Sequence, residues 1–376
     1  MYTLFPSGMS FARCLVELFQ IQKILPGGKE YKKMINKELW LDNNGRHINA
    51  HGGGIMEHKG VFYWYGEHKG PGVDGQLARE GVHMYYSTDL QLWNDGGIVL
   101  KVNDIPNHPI HSGCRIERPK VIFCEKTGKF VMYFHSSDSA HIIARRGLAI
   151  ADDPAGPFEF ISAERPNAAV WPLNSCSKDK ESTLFPAGHK TKNGENDTVK
   201  NLPLYVRDFA GGQMARDMNL FKDEDGRAYH IYASEQNSTL HIAELTDDHL
   251  YWTGRYCRVL PYRWNEGEAI FRRDNRYYLL ASGCTGWEPN TARSAVADSI
   301  MGEYTELGNP CRGDGAEITF GGQSSAVFKA GDTYVAMFDL WNEQDFIDSR
   351  YFWLPIKFTE NGYEIHYRKE FDLKVQ

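Results

Sequence analysis

The feature that most constrains the fold is a short hairpin pattern that occurs five times along the chain. In each copy, a short apolar run precedes a turn with Gly or Asn, and a run rich in aromatic residues follows. The turn residues of the five copies are Gly60, Gly128, Gly226, Asn275 and Gly331. This pattern is typical of antiparallel β-hairpins, and its repetition predicts a repeat architecture. Five such units around an axis form an all-β, five-bladed β-propeller, and a ten-stranded sandwich is the alternative.

A polar residue precedes each turn residue by 8 to 11 positions, at the expected start of a first strand. These residues are His51, Glu117, Asp217, Glu266 and Gln323. In a propeller the first strand of each blade lines the axis, so we expect these side chains to meet at one mouth of the channel. The second strands would return to the same rim and deliver Glu67, His135, Glu235, Thr285 and Trp341. A sandwich gives no reason why five polar residues should lie at similar distances before their turns, so the pattern favours the propeller.

The composition fits a chain of many short strands and excludes several other classes. Aromatic residues make up 13% of the 376 residues and 36 residues are Gly, as expected for strands and tight turns. The formal net charge is -7 and no block is rich in Lys or Arg, so nucleic acid is not an expected partner. No apolar run reaches the roughly eighteen residues of a membrane span. The seven cysteines have no C-x-x-C spacing and predict neither a zinc site nor a disulfide framework.

We expect residues 38–376 to form one propeller domain, which acts as a monomer, after an N-terminal extension of residues 1–37. An amphipathic stretch predicts that this extension is partly helical. It has no basic start, and Arg13 and Glu17 interrupt its apolar run, so it does not match a secretion signal and no localisation is predicted. The polar stretch from Cys176 to Asn201 predicts a surface loop within the domain.

Carboxylates are the strongest candidates for chemistry. Hydrolysis of a glycosidic bond needs a carboxylic acid at the leaving oxygen and a second group that activates water or attacks the sugar. Glu266, in the segment WNEGEA, lies at a strand start among apolar and aromatic neighbours, which would raise its pKa as an acid requires. Glu268 would face the same side of a regular strand and therefore competes for this role. The sequence lacks the G-x-S-x-G, Walker, H-E-x-x-H and G-x-G-x-x-G motifs of other chemistries.

Motifs along the chain resemble those of glycoside hydrolase family 43, and more closely its exo-β-1,3-galactanase branch. The resemblance runs from about Asn43 to Phe358 and rests on the segments NAHGGGI, YWYGE, ERPK, RDM, SGCTGW, FGGQS and DSRYFWLP. It implies a five-bladed propeller that removes terminal galactose from β-1,3-galactan, as found in arabinogalactan, with inversion at the anomeric carbon. Two other functions stay open: an α-L-arabinofuranosidase on the same scaffold, and a propeller that binds carbohydrate without cleaving it.

The resemblance implies roles for individual residues. Glu266 matches the general acid, and Asp217 matches the aspartate that tunes it. The base aspartate of the wider family is missing at His51, as in the galactanase branch. There, a Gln matching Gln323 is the proposed holder of the nucleophilic water, and a Glu matching Glu117 is the other candidate to assist it. The predicted substrate-binding residues are Glu67, Thr285, Trp287, His135, His141 and Glu235.

Two positions depart from the pattern of this branch. Its acid motif usually reads Glu-Ala-Pro-Ala, whereas this chain has Glu266-Gly-Glu268-Ala, and the extra carboxylate would raise the pKa of the acid or replace it. Where the branch often has Tyr, this chain has His141. We expect an oligo- or polysaccharide substrate and no required cofactor or metal. A structural Ca²⁺ occurs in some family members, but no acidic loop here demands one.

Overall fold

The computed structural model describes residues 34–180 and 203–373, and these residues form β-strands joined by short loops. Two short helices, α1 (Ser177–Lys180) and α2 (Leu204–Arg207), lie between the second and third sheets. Short 3-10 segments occur at Val73–Gln76, Ala316–Gly321 and Phe346–Asp348, and the second of these contains a kink. Within the described ranges no helix is long and apolar enough to cross a membrane. Most of the predicted N-terminal extension and most of the predicted surface loop lie outside the described residues.

Five antiparallel sheets follow one another along the chain after the short strand β1 (Met34–Ile35). The first sheet contains β2 (His51–His58), β3 (Val61–Glu67), β4 (Gly81–Ser87) and β5 (Asn94–Lys101). The second sheet contains β6 (Arg115–Cys124), β7 (Lys129–Ser137), β8 (Arg145–Ala151) and β9 (Glu159–Glu164). The third sheet contains β10 (Met218–Lys222), β11 (Ala228–Ser234), β12 (Thr239–Leu245) and β13 (Trp252–Val259).

The last two sheets complete the set. The fourth contains β14 (Asn265–Arg273), β15 (Arg276–Gly283), β16 (Arg293–Ala297) and β17 (Thr305–Gly308). The fifth contains β18 (Cys311–Arg312), β19 (Gln323–Ala330), β20 (Thr333–Leu340), β21 (Arg350–Thr359) and β22 (Gly362–His366). Strand β18 joins β22 in parallel, and β23 (Glu370–Phe371) pairs with β1. The last residues of the predicted N-terminal extension are therefore paired with the end of the chain.

The innermost strand of each sheet, which in the fifth sheet is β19, is the first strand of its blade, and the five first strands form a closed ring around an axis. Each of these strands contacts the first strand of both neighbouring sheets, in the order β2, β6, β10, β14, β19 and back to β2. Each predicted hairpin is the innermost pair of one sheet. The structure therefore confirms the predicted five-bladed β-propeller and excludes the sandwich.

Apolar side chains between neighbouring blades hold the ring together. The contact between the last and first blades contains four buried indoles, Trp40, Trp64, Trp93 and Trp353. Their rings meet edge to face, with centroids 4.8 to 6.3 Å apart in the pairs that involve Trp64. Such pairs contribute about 0.5–1.5 kcal/mol each beyond the burial of their area. Of the four, only Trp64 lies on a second strand, β3, so the propeller is closed by aromatic side chains from several elements rather than from the second strands alone.

Four of the five first strands begin with a β-bulge, and all four bulges lie at the same mouth of the channel. The register shifts follow His51 in β2, Glu117 in β6, Glu266 in β14 and Ser324 in β19. A bulge adds one residue to a strand and turns the preceding side chain away from regular alternation. Four of the five polar residues that the sequence places at equivalent positions therefore begin a bulged strand, whereas β10, directly after Asp217, is regular.

Candidate active site

Arg118 lies at the centre of the axial mouth and bonds to residues of three other blades. Its Nη2 lies 2.8 Å from Oδ2 of Asp217 and donates to Oε1 of Gln323 at 2.6 Å. Its backbone N–H donates to Oε1 of Glu67 at 3.0 Å. The structure thus brings together Glu67, Asp217 and Gln323, which the sequence predicts from separate blades. Sequence reasoning did not single out Arg118, although it directly follows Glu117 in the quoted segment ERPK.

The backbone of Arg118 is held in the left-handed region by its bulge. Its φ is 54°, and the residues at the same place in two other bulges, Gly52 and Gly267, have φ of 56° and 60°. A side chain in this region costs free energy that glycine avoids, and such strain is common at functional sites. Burial lowers the pKa of Arg118, but the carboxylates of Asp217 and Glu67 outweigh it and raise the pKa above its ordinary value. A permanent positive charge is therefore fixed at the mouth.

Glu266 is half-buried at the mouth and has the environment of an acid. Its Oε1 accepts a hydrogen bond from Nδ2 of Asn237 at 2.7 Å, and its Oε2 faces Nε2 of Gln323 at 3.4 Å. Burial, reinforced by the negative charge of Asp217, raises the pKa of Glu266 to about 7. Near neutral pH the carboxyl can therefore carry a proton and release it to a bound group.

Glu268 does not share the mouth with Glu266, so the expectation that both face the same side is wrong. Glu266 pairs with Ser282 and Ala269 pairs with Leu280, so the bulge inserts one residue and reverses the alternation. The side chain of Glu268 is only 1% exposed, and neither of its oxygens has a hydrogen-bond partner among the residues that the structure describes. Burial raises the pKa of Glu268 to about 8. Glu268 is therefore a buried acid that a substrate does not reach.

The amide of Gln323 is fixed by hydrogen bonds at both ends. Its Oε1 accepts from Nη2 of Arg118 and from Nε1 of Trp341 at 2.9 Å, and its Nε2 donates to Oγ of Ser282 at 3.1 Å. These donors and acceptors determine which end of the amide is oxygen. A cavity of about 10 Å³, close to the space that one water molecule needs, adjoins this residue. Its lining includes Gln323, Asp339, Trp287 and Trp341.

Glu117 is a buried carboxylate with three cationic or N–H neighbours. Its Oε1 lies 2.9 Å from Nη1 of Arg115, and its Oε2 lies 2.8 Å from Nδ1 of His135 and 3.0 Å from Nε2 of His141. Burial opposes its ionisation, but the histidine contacts outweigh burial and hold the pKa of Glu117 well below its ordinary value. Burial also lowers the pKa of His135 to about 4, so this imidazole is neutral near pH 7. Glu117 therefore stays ionised and accepts hydrogen bonds.

The same three side chains form a cluster that could hold a metal ion. One ligand atom from each of Glu117, His135 and His141 lies within 4.8 Å of the others, and no second cluster of this kind occurs in the part of the chain that the structure describes. Zinc accepts this donor set. However, Arg115 occupies the other oxygen of Glu117, and two ring N–H groups can satisfy Oε2 without an ion. We therefore infer that the two histidines of this cluster orient the carboxylate of Glu117 rather than bind a metal ion.

The other predicted sugar contacts have different environments. Glu67 is 3% exposed and is paired with Nζ of Lys69 at 2.5 Å, opposite His51 in the register. Thr285 is exposed, and its hydroxyl donates to the carbonyl of Glu288 at 2.6 Å. Trp287 is half-buried, with its ring 5.3 Å from that of Trp341. Thr285 and Trp287 therefore lie on the accessible side of the mouth.

Glu235 has no exposed surface to offer a sugar. Its Oε1 lies 2.6 Å from Nε of Arg258 and 3.0 Å from Nε2 of His241, and its Oε2 accepts from Nη2 of Arg258 at 2.9 Å. These partners lie on β12 and β13 of the same blade. Glu235 therefore supports the third blade from within, because a buried carboxylate needs paired charges and hydrogen bonds.

The strand register shows why some rim residues were missed. The residues opposite the first-strand positions are Glu67, His135, Ser282 and Asp339. The sequence reasoning named the first two but placed the fourth and fifth blades at Thr285 and Trp341, which lie two or three residues too far along. Regular counting from each turn would give Gly283 and Leu340, and the bulges move the true partners one residue back, to Ser282 and Asp339.

Comparisons with known proteins agree with this geometry. A family model described as glycosyl hydrolases family 43 matches residues 169–343. A β-D-galactofuranosidase from Aspergillus niger is 26% identical over 148 residues. That match spans 39% of this chain and 42% of the relative.

Solved structures match over most of the chain. A family 43 β-1,3-galactosidase with galactodeoxynojirimycin is 42% identical, with 90% of this chain and 100% of the other covered and a TM-score of 0.83. An exo-β-1,3-galactanase from Phanerochaete chrysosporium, a Glu-to-Gln variant with β-1,3-galactotriose, is 26% identical with a TM-score of 0.74. That match covers 91% of this chain and 68% of the other. By its blades, its axial carboxylates and these relatives, the chain belongs to family 43 of the glycoside hydrolases and is similar to β-1,3-galactosidases.

Proposed function

We propose that this enzyme is an exo-acting galactosidase that releases terminal galactose from β-1,3-galactan with inversion at the anomeric carbon. The observation that carries the proposal is the half-buried Glu266, whose pKa of about 7 suits a general acid, in a mouth shared with Gln323 and Glu117. Similarity to a β-1,3-galactosidase over 90% of this chain supports galactose as the sugar.

In the proposed reaction Glu266 gives its proton to the glycosidic oxygen as the bond to the anomeric carbon breaks. Asp217 raises the pKa of this acid, and its Oδ2 also accepts from the backbone N–H of Gly267 at 2.9 Å. Asp217 thus fixes the strand segment that carries Glu266. The leaving sugar departs with a new hydroxyl group, and Glu266 is left as a carboxylate that must regain a proton from solvent.

Water attacks the anomeric carbon from the opposite face of the sugar. We assign its placement to Gln323, because an amide that Arg118 and Trp341 hold in one orientation can present a fixed dipole. An amide is a poor base, so the proton lost by water passes to Glu117, the ionised carboxylate of the mouth. Because the pKa of Glu117 is held low, it is a weak base that accepts the proton late, as an oxocarbenium-like transition state allows.

The test is product release from de-branched β-1,3-galactan, separated by chromatography, with an aryl α-L-arabinofuranoside run in parallel. Free galactose without longer oligosaccharides is expected, and NMR should show that the α-anomer forms first. Release of arabinose alone would instead favour the arabinofuranosidase. Binding of galactan without any turnover would favour the non-catalytic propeller.

We also propose that no metal ion is required. Treatment with EDTA followed by gel filtration is expected to leave kcat/KM unchanged within about twofold. The cluster of Glu117, His135 and His141 is satisfied by hydrogen bonds and by Arg115, which is why we expect this result. A loss of activity that Zn²⁺ or Ca²⁺ restores would contradict the assignment.

A further inference from the structure

The turn between β11 and β12 carries an asparagine whose side chain reaches the acid. Asn237 lies in this turn of the third blade, and its Nδ2 donates to Oε1 of Glu266, on the fourth blade, at 2.7 Å. That distance is at the short end of the usual range for an N–H···O bond. The other carboxyl oxygen, Oε2, lies 3.4 Å from Nε2 of Gln323. The two oxygens of the acid therefore have different surroundings.

The backbone of this turn is left-handed at three successive residues. Glu235, Gln236 and Asn237 have φ of 51°, 58° and 66°. Asparagine occupies this region more readily than most residues do, whereas the two residues before it are strained there. Strain that the surrounding structure holds in place is common at functional sites. The cost of this backbone indicates that the turn does more than join two strands.

Buried contacts hold the turn in this conformation. The carboxylate of Glu235 bonds to Arg258 and His241 inside the blade. The hydroxyl of Ser238 donates to the backbone carbonyl of Glu235 at 2.7 Å and closes the turn. A buried polar network whose groups are satisfied makes a segment rigid. Glu235, which the sequence predicts as a sugar contact, is therefore the anchor of the turn that carries Asn237.

The turn is also bonded to the segment that carries the acid. The carbonyl of Asn237 accepts from the N–H of Asn265 at 3.1 Å, and the carbonyl of Ser238 accepts from the N–H of Trp264 at 3.2 Å. Asn237 thus contacts two successive residues of the fourth blade, Asn265 through its backbone and Glu266 through its side chain. Because both contacts come from one residue, the amide and the carboxyl are held at a fixed separation before a substrate binds.

The bond to Asn237 determines which oxygen of the acid carries the proton. A neutral carboxyl has one hydroxyl oxygen and one carbonyl oxygen, and the oxygen that accepts from an amide N–H takes the carbonyl role. In Glu266 that oxygen is Oε1, which leaves Oε2, on the side of Gln323, as the hydroxyl. A proton on Oε1 would meet the N–H group of Asn237 and could not form that bond. The transferable proton is therefore directed toward the axial mouth.

The same bond acts on the ionised form of the acid. An N–H donor stabilises a carboxylate and lowers its pKa, which opposes the effects of burial and of Asp217 on Glu266. Cys284, after β15, is a neutral thiol because burial raises its pKa. The charged groups that act on Glu266 come from the second and third blades and are Asp217, Arg118, Glu117 and Arg216. Removing the N–H of Asn237 leaves these charges unchanged and should raise the pKa of Glu266 further.

We propose that Asn237 is a positioning residue for the reaction: its amide fixes the carboxyl of Glu266 and keeps the transferable proton on Oε2. This inference rests on the proposed galactosidase function, in which Glu266 is the acid. It gives the strained turn a role, and it means that both groups that prepare the acid, Asp217 and Asn237, come from the third blade.

The experiment compares Asn237→Ala and Asn237→Asp with the wild-type enzyme on two substrates. β-1,3-Galactobiose needs a proton on its leaving oxygen, whereas 2,4-dinitrophenyl β-galactoside does not. On galactobiose we expect kcat of both variants to fall about tenfold or more with KM within about threefold, because the proton is less often aimed at the leaving oxygen. On the dinitrophenyl galactoside kcat/KM should change less than about threefold. Asp tolerates a positive φ, so Asn237→Asp guards against a loss that comes only from the backbone.

The pH profile gives a second readout. In Asn237→Ala the alkaline limb of kcat/KM on galactobiose should move to higher pH by about half a unit to one unit, because the ionised acid loses a donor. Asn237→Asp should move the limb at least as far, since a second carboxylate replaces the donor. Asn107→Ala is the matched control, because Asn107 is exposed on the connection from β5 to β6 and has a similar φ of 63°. It should behave as the wild type in both measurements.

The outcomes separate this inference from the proposed function. No loss on galactobiose, equal losses on both substrates, or a limb that stays in place or moves to lower pH would overturn the inference while leaving a working galactosidase. Failure of the wild-type enzyme on every galactoside, the dinitrophenyl galactoside included, would overturn the proposed function. In that event, a ¹³C NMR titration of the glutamate carboxyls decides the inference. A higher pKa of Glu266 in Asn237→Ala than in the wild type supports it, and an equal or lower pKa overturns it.

Discussion

Two glutamates that are two residues apart in β14 have different environments. Glu266 is half-buried at the mouth and bonds to Asn237 and Gln323. Glu268 is almost fully buried, and none of the described residues donates a hydrogen bond to its carboxyl group. Burial raises the pKa of both, to about 7 and about 8, so protonation alone does not distinguish them. What distinguishes them is access to substrate.

That difference originates in the bulge at Gly267. Its φ of 60° and the register shift between Glu266 and Ala269 turn one carboxyl into the mouth and the other into the blade. The comparison shows that a raised pKa identifies a carboxyl group as the catalytic acid only when the backbone also exposes that group to the substrate. Removing each carboxyl in turn, and then the bulge between them, tests this difference.

The largest expected effect is the loss of activity when Glu266 is replaced. Glu266→Gln removes the proton donor but keeps the size of the side chain, and we expect kcat/KM on β-1,3-galactobiose to fall about 10²- to 10⁴-fold. The matched variant Glu268→Gln should stay within about threefold of wild type. Steady-state kinetics of both variants measure this. Comparable losses in the two would mean that the bulge does not separate their roles.

Gly267→Ala should damage both the fold and the activity. A Cβ at this position would lie 2.2 Å from the carbonyl oxygen of Ser324, and the positive φ adds strain. We expect the free energy of unfolding to fall by about 2 kcal/mol or more. Gly60→Ala is the control, because its φ of 78° is similarly positive but no atom lies within 4 Å of the added Cβ. Urea denaturation measures the free energy of unfolding of both variants. Similar decreases in the two would show that the strain of the positive φ, without the clash, explains the effect.

The activity should fall as the pH rises through the pKa of the acid. Glu266 must be protonated to act, and its pKa of about 7 places the alkaline limb of kcat/KM at about that pH, with a tenfold loss for each further unit. Glu117 stays ionised down to low pH because its pKa is lowered, so it adds no limb near neutrality. The pH profile of kcat/KM measures this. A profile flat to pH 9 would contradict the role of Glu266.

The smallest effect concerns stability, and it tests the burial of Glu268. Its pKa is about 8 in the folded state and about 4.3 in an unfolded chain, so the folded protein binds the extra proton between these values. The contribution of this group is therefore full below about pH 4 and is lost as the pH rises through about 8. Glu268→Gln should raise Tm relative to wild type by a few degrees more at pH 9 than at pH 5. An unchanged difference between the two pH values would speak against a buried, unpaired carboxyl.

Local patterns in the sequence were sufficient to predict the blades. Glycine turns before aromatic runs mark each hairpin, and the residues ahead of them, such as Glu117 and Glu266, do meet at one mouth. These signals are local because a hairpin is specified by its own turn and strand alternation. The resemblance to a known family added the roles proposed for Asp217 and Gln323, which spacing alone does not assign.

The remaining parts of the site depend on contacts between blades and on the bulges. Arg118 looks like an ordinary charged residue in sequence, and its role follows from its bonds to Asp217 and Gln323 on other blades. Glu235 can be buried because Arg258, on a later strand of its own blade, bonds to its carboxylate. The opposite orientation of Glu268 depends on one extra residue in the register. None of these features leaves a periodic signal, so they appear only in three dimensions.

The most direct test of the account compares leaving groups in the Glu266→Gln and Glu268→Gln variants. A general acid matters only when the leaving oxygen needs a proton, so a 2,4-dinitrophenyl β-galactoside should bypass it. We predict that the loss of activity in Glu266→Gln is 10- to 100-fold smaller on this substrate than on β-1,3-galactobiose. The difference corresponds roughly to the contribution of one proton transfer to the rate. Glu268→Gln should be close to wild type on both. Equal losses of Glu266→Gln on the two substrates, or a leaving-group dependence in Glu268→Gln instead, would contradict the account.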